Sequence, residues 1–185
     1  MSRSVGDPET DGAPSELARQ LLERVRRERP TEPHLRALAD LDEHGLDALR
    51  TDRRAALAFW LNLYNAAAQL LLERRPGLFE SRWRFFRATA ITVAGVDASL
   101  DDIEHGILRG ERSKYGLGYL PRLARAEFGP EYRLDADPRV HFALNCVAAS
   151  CPAILAYDPE SVDRALDEAT ASHLERTVTY DAARD

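Results

Sequence analysis

Residues 55–72 run for 18 positions without a formal charge, and no other stretch limits the fold as strongly. Read at helical spacing, the run is apolar on nearly every side, so it must be enclosed by a bilayer or by the rest of the chain. A bilayer core needs about 20 such residues. Asn62, Asn65 and Gln69 interrupt this run, and Asp52, Arg53, Arg54 and Glu73 crowd its ends. Amides at a bilayer centre are costly. The segment therefore reads as the core helix of a soluble domain, with no membrane partner expected.

The remaining chain suits that reading. With 185 residues, of which 44% are hydrophobic, there is material for one core rather than two. A single globular domain over residues 15–185 is expected, behind a disordered tail over residues 1–14. That tail is polar, rich in Gly and Pro and without an apolar leader run, which points to a cytoplasmic protein. There are 25 basic residues against 31 acidic ones, a net charge of −6. Nothing gathers the arginines into a phosphate-neutralising stripe, so nucleic acid is not an expected partner. Two cysteines, Cys146 and Cys151, exclude a disulfide-dense scaffold.

Periodicity places the elements. Ser15 can cap a helix to about Arg29, with Leu17, Leu21, Leu22 and Val25 on one face. One or two short helices are predicted over residues 32–49, and the long helix ends near Arg75 and Pro76. Residues 90–96 read as a strand with a turn at Gly95, half of a small hairpin. Ser99 starts a helix to about Arg109, residues 110–118 read as loop, and residues 119–128 form a short amphipathic piece. Asp137-Pro138 signals a helix running through Val147, and Asp158-Pro159 repeats the signal ahead of Val162, Ala165, Leu166 and Ala169. Thr177 to Tyr180 reads as a last strand pairing with residues 90–96. The sum is an α+β domain, mostly helical, with a small antiparallel β-sheet.

Three polar groups sit where the pattern calls for apolar ones. Asn62, Asn65 and Gln69 are spaced i, i+3, i+7 and share a helix face. They either bond loop backbone and specify packing, or line a polar cleft as substrate-binding groups. Glu104 falls inside the Leu100, Ile103, Ile107 and Leu108 side of its helix. A carboxylate there either pairs with an arginine or orients a histidine. His105 lies further round, over Asp101. The third group is His141, Asn145, Cys146 and Cys151. His141 and Asn145 share a face in helix or strand alike, and thiol, imidazole and amide are the parts of thiol catalysis. Helix position leans towards Cys151 as nucleophile, and adjacency to Asn145 leans towards Cys146. A short-loop disulfide, or a metal held by both thiols with His141 and His105, are the alternatives. The Cys-x4-Cys spacing is not a standard zinc knuckle, so no metal and no cofactor are expected.

The stretches Phe59-Trp-Leu-Asn-Leu-Tyr-Asn65, Ser99-Leu-Asp-Asp-Ile-Glu-His-Gly-Ile-Leu-Arg109 and Asp137-Pro-Arg-Val-His-Phe-Ala-Leu-Asn-Cys146, with Ser150-Cys-Pro152, resemble in order and spacing three signature blocks of the domain of unknown function 547 family. The resemblance covers roughly residues 40–180. It departs from the family pattern at Val147, where a small residue is usual, and at Ala153, where a second proline is usual. The resemblance implies no settled activity. It implies matching positions at Asn62, Asn65, Glu104, His105, His141, Cys146 and Cys151.

The resulting expectation is a cysteine-dependent hydrolase or acyltransferase acting on a small molecule or peptide. Cys146 or Cys151 would attack, His141 or His105 would be the base, and Glu104 would orient it. Glu104 is expected within about 2.6–3.2 Å of one of these histidines. The alternatives are a non-catalytic binding domain with a structural polar network and, behind it, a thiol–histidine metal site. Family members usually continue past the final strand, so with a bare strand edge at Thr177 to Tyr180 either a homodimer that covers this region or a C-terminus disordered beyond about Thr177 is expected.

Overall fold

The computed structural model describes residues 12–110, 128–145 and 154–177. Helix α4 (Arg53–Arg74) is its axis: Leu57, Phe59, Trp60, Leu61, Leu63 and Tyr64 are all essentially inaccessible. It begins at Asp52, whose carboxylate accepts hydrogen bonds from the backbone N–H groups of Arg54 and Ala55, and it stops at Arg75, just before Pro76. By length and composition α4 could cross a membrane, but 89% of its most apolar window is buried inside the fold.

The elements around α4 supply that enclosure. Helix α1 (Pro14–Arg26) lies along it through Leu17, Ala18, Leu21 and Leu22. Pro14 occupies the first helical position, so Ser15 lies buried inside the first turn rather than capping it. Helices α2 (Glu32–Ala39) and α3 (Glu43–Thr51) follow, and Asp42 caps α3 by accepting from the Gly45 N–H. A 3-10 turn (Pro76–Glu80) and the short α5 (Arg82–Arg87) carry Phe79, Phe85 and Phe86, packed edge to face.

Strands β1 (Thr89–Val93) and β2 (Val96–Ser99) then form an antiparallel hairpin. The expected single strand over 90–96 is thus split by its turn, and the partner of β1 is β2. The register pairs Val93 with Val96 and Ile91 with Ala98, with a bulge between Thr89 and Ile91. The turn residues Ala94 and Gly95 have φ of 50° and 74°, the left-handed pair of a type I′ turn. Their N–H groups donate to Leu38 and Ala39 carbonyls, each at 2.9 Å. The hairpin tip thereby satisfies the carbonyls that end α2.

Four further elements complete the described fold, one of them a 3-10 turn at Pro130–Tyr132. A π-helix (Asp102–Leu108) packs on α4. A one-turn α6 (Val140–Ala143) packs on α7 (Val162–Thr177), which buries Val162 and Leu166. The Asp158 carboxylate accepts from the Glu160 N–H as expected of a cap, but residues 159–161 form a turn and the helix proper starts at Val162. Thr177 ends α7 and is not a strand residue. The remainder of the expected last strand, most of the 1–14 tail, the 110–118 loop from residue 111 and the 119–128 piece up to residue 127 lie outside the described residues.

Candidate functional site

One turn of α4 reaches both of the other signature blocks. The Asn62 amide acts as a backbone mimic: its Nδ2 donates to the Tyr157 carbonyl at 2.7 Å, and its Oδ1 accepts from the Tyr157 N–H at 2.8 Å. Asn65 does the same one turn on, donating to the Ala143 carbonyl at 3.1 Å and accepting from the Asn145 N–H at 2.9 Å. Both side chains are fully buried, and a buried amide is affordable only when so paired. The chain on either side of residues 146–153 is therefore clipped to α4. Gln69 is half-buried and makes no hydrogen bond among the described residues, so the stripe has two working members rather than three.

The Asn65 clip also corrects the helix expected through Val147. A continuing helix would need the Ala143 carbonyl and the Asn145 N–H for its own ladder. Asn65 takes both, and Leu144 is extended, with φ −87° and ψ 124°. Helix α6 ends after one turn. His141 on that turn is exposed, its ring edge-to-face with Phe142, and Phe142 in turn contacts the His173 ring of α7 at 5.0 Å. Asn145 is half-buried.

Between the two amides, Tyr64 points to the second block. Its hydroxyl donates to Glu104 Oε2 at 3.3 Å. The helix expected over 99–109 begins with reciprocal bonds between Ser99 and Asp102, then widens into the π form. The Arg109 N–H bonds the Glu104 carbonyl at 2.9 Å, five residues back. That wider turn stacks position 109 on position 104, and Arg109 Nη1 donates to Glu104 Oε1 at 3.2 Å. His105 Nε2 stands 3.8 Å from the same oxygen, so the expected close hydrogen bond between Glu104 and a histidine is not made. The two carboxylate oxygens go instead to Tyr64 and Arg109. His105, expected away from the apolar side, is buried together with Asp101, because π winding turns it inward.

The end of the π-helix is tied to the chain just ahead of the third block. The Leu134 N–H donates to the Ile107 carbonyl at 3.0 Å. Gly110 has φ 60°, and a Cβ there would stand 2.9 Å from the Leu134 carbonyl oxygen, so only glycine fits. Beyond it, Arg139 grips Asp137 through two guanidinium nitrogens and reaches Asp163 and Asp167 of α7. Arg53 at the start of α4 joins Asp137 at 2.9 Å. The Arg139 hydrogen bonds hold the Asp137 carboxyl below the usual aspartate range, against the opposing effect of burial. Burial alone pushes the Tyr157 phenol up.

Sequence reasoning overlooked Tyr64, Arg109 and Arg139. Tyr64 passes for one more apolar residue of α4, and only its position beside Asn65 could have drawn attention to the hydroxyl. Arg109 meets Glu104 only because of the π turn. Cys146 and Cys151, the proposed nucleophiles, lie outside the described residues. No cluster of three or more metal-ligating side chains occurs among the described residues.

Described residues of the second and third blocks thus meet residues 64 and 65 of α4. The family described as "Protein of unknown function, DUF547" matches residues 48–174, more than half of the chain. The chain belongs to this DUF547 family. No curated protein and no solved structure matches it.

Proposed function

We propose that the chain is a cysteine-dependent hydrolase or acyltransferase acting on a small molecule or peptide. The observation that carries the reading is the convergence of the blocks. Tyr64 holds the Glu104 carboxylate, which has the buried imidazole of His105 beside it, and Asn65 holds the backbone leading directly to Cys146. In this reading Cys146 or Cys151 attacks an acyl carbonyl as thiolate. His105 or His141 takes the thiol proton and returns it to the leaving group, and a second nucleophile releases the acyl group. Glu104, braced by Tyr64 and Arg109, fixes the charge beside His105.

Alkylation by iodoacetamide between about pH 5 and 9 tests this. One thiol should react as a thiolate well below the ordinary cysteine range. Replacing the histidine that serves it, His105→Gln or His141→Gln, should move that profile up towards about 8.5. Two native thiols that react no faster than free cysteine would remove the nucleophile.

A second reading has its own support. Both asparagines are consumed by loop backbone, and Glu104 has a tyrosine and an arginine for company. A binding domain with a structural polar network needs no more than that, and would show the inert thiols.

A further inference from the structure

We infer that the outer face of α5 is a docking surface for an anionic lipid bilayer, met peripherally. The contact uses no residue of the thiol site. It also asks nothing of the apolar run in α4, which the fold encloses.

Charge is the first ground. From Arg75 to Val96 the sequence holds four arginines, Arg75, Arg82, Arg84 and Arg87, against one acid, Glu80, in a chain whose net charge is −6. All five side chains are exposed, and none of them makes an ion pair among the described residues. Arg75 Nη2 donates to the Thr89 carbonyl at 2.6 Å, which leaves its charge uncancelled. Arg82 and Arg87 lie over the Phe86 and Trp83 rings, each 5.2 Å from the centroid. The Arg84 guanidinium has no partner of any kind among the described residues.

The fold turns these groups outward together. Phe85 is fully buried and fixes the inner side of α5. It is held there edge to face between Phe79 and Phe86. At about 100° per residue, Trp83 and Arg87 then point away from the core, with Arg84 on one flank and Phe86 on the other. Trp83 is 61% exposed, more than any other large apolar side chain among the described residues. An amphipathic ring at headgroup depth, with guanidiniums against lipid phosphates, is the chemistry of an interfacial contact. Arg87 over the ring puts cation and apolar surface at one depth. Charges beyond a Debye length of about 8 Å are screened, so a bilayer touching α5 meets this face rather than the net charge of the chain. Single-stranded nucleic acid fits less well. It is tracked by a charged groove with rings for successive bases, whereas α5 exposes one ring that already has Arg87 on one face.

Flotation of the full chain with vesicles tests this, phosphatidylcholine alone against phosphatidylcholine with about one-third phosphatidylserine. Binding to the anionic vesicles, weakened by added salt, is expected, with none to the neutral ones. On binding, Trp83 emission should shift to the blue and become shielded from acrylamide. Arg84→Gln and Arg87→Gln should each weaken binding about fivefold. Arg164→Gln, exposed on α7, should leave it within about twofold. No binding to the anionic vesicles at low salt would overturn the inference. So would vesicle binding that leaves Trp83 emission unshifted, or an Arg164→Gln loss equal to that of Arg84→Gln, the sign of diffuse surface charge. A single-stranded oligonucleotide bound in place of the vesicles, with the same dependence on Arg84 and Arg87, would overturn it in favour of nucleic acid.

Discussion

Asn65 and Gln69 have similar chemistry and lie on the same side of α4, yet they do different work. Asn65 satisfies one carbonyl and one N–H in a place without water. Gln69 satisfies nothing among the described residues and is half-buried. Asn65→Ala leaves two backbone groups unpaired against α4 and should cost about 2–6 kcal/mol of stability, at about 1–3 kcal/mol for each. Gln69→Ala should cost less than about 1 kcal/mol, since it removes side-chain contacts alone. Urea unfolding of both variants measures the difference, and equal losses would show that the amide clip is not what holds the loop. The stripe itself was legible in the sequence, because amides at i, i+3 and i+7 in an apolar helix are conspicuous. Which of them is paired was not, because the partners are backbone groups 78 to 95 residues away, with no side-chain signature of their own.

Elements were legible where their ends are set locally. Asp52 caps α4 and Pro76 ends it where the sequence placed its end, and Ser99 opens the π-helix. They were not legible where a distant group takes over the backbone. Helix α6 stops early because Asn65 competes for its ladder, and the Ser99 helix winds as π while periodicity assumed 3.6 residues per turn. The hairpin shows a local rule broken. Ala94 holds φ 50° in the first position of a type I′ turn, which costs an L-residue with a Cβ about 1–2 kcal/mol. Ala94→Asn supplies the Asn-Gly pair this turn favours and should raise stability by about 1 kcal/mol in thermal unfolding. A decrease would mean that the N–H bonds to Leu38 and Ala39, rather than the turn, dictate the geometry. The tie between α4, the Asp137 turn and α7 is electrostatic and so depends on pH. The Asp137 pKa is lowered in the fold, first by Arg139. It therefore adds stability above the unfolded aspartate value of about 3.9, and that stability is lost as pH falls through the lowered folded value. Between about pH 5 and 2 the wild type should lose stability more steeply than Asp137→Asn. Parallel slopes would place the acid-sensitive group elsewhere.

The whole molecule is organised around α4, so its parts should not unfold separately. Helices α1, α3 and α7, the π-helix and β1 all pack on it. Asn62 bolts Tyr157, and Asn65 bolts Ala143 and Asn145, to its middle. The two tryptophans report this from opposite environments. Trp60 is fully enclosed, edge-to-face with Phe59 and Phe128, whereas Trp83 on α5 is 61% exposed beneath Arg87. Trp83→Phe should change stability by less than about 0.5 kcal/mol, as an exposed substitution away from any buried network. It should also leave one blue-shifted emission that acrylamide quenches poorly. In that variant Trp60 fluorescence and far-ultraviolet circular dichroism should trace the same urea transition, the mark of a single cooperative unit. A Trp60 transition that precedes the loss of helix would mean that the 128–177 region detaches first and that the amide clips are weaker than their burial implies. Coincident curves would instead make α4 a common support, through which a change at Asn65 is felt at Glu104 and at the Asp137 turn alike.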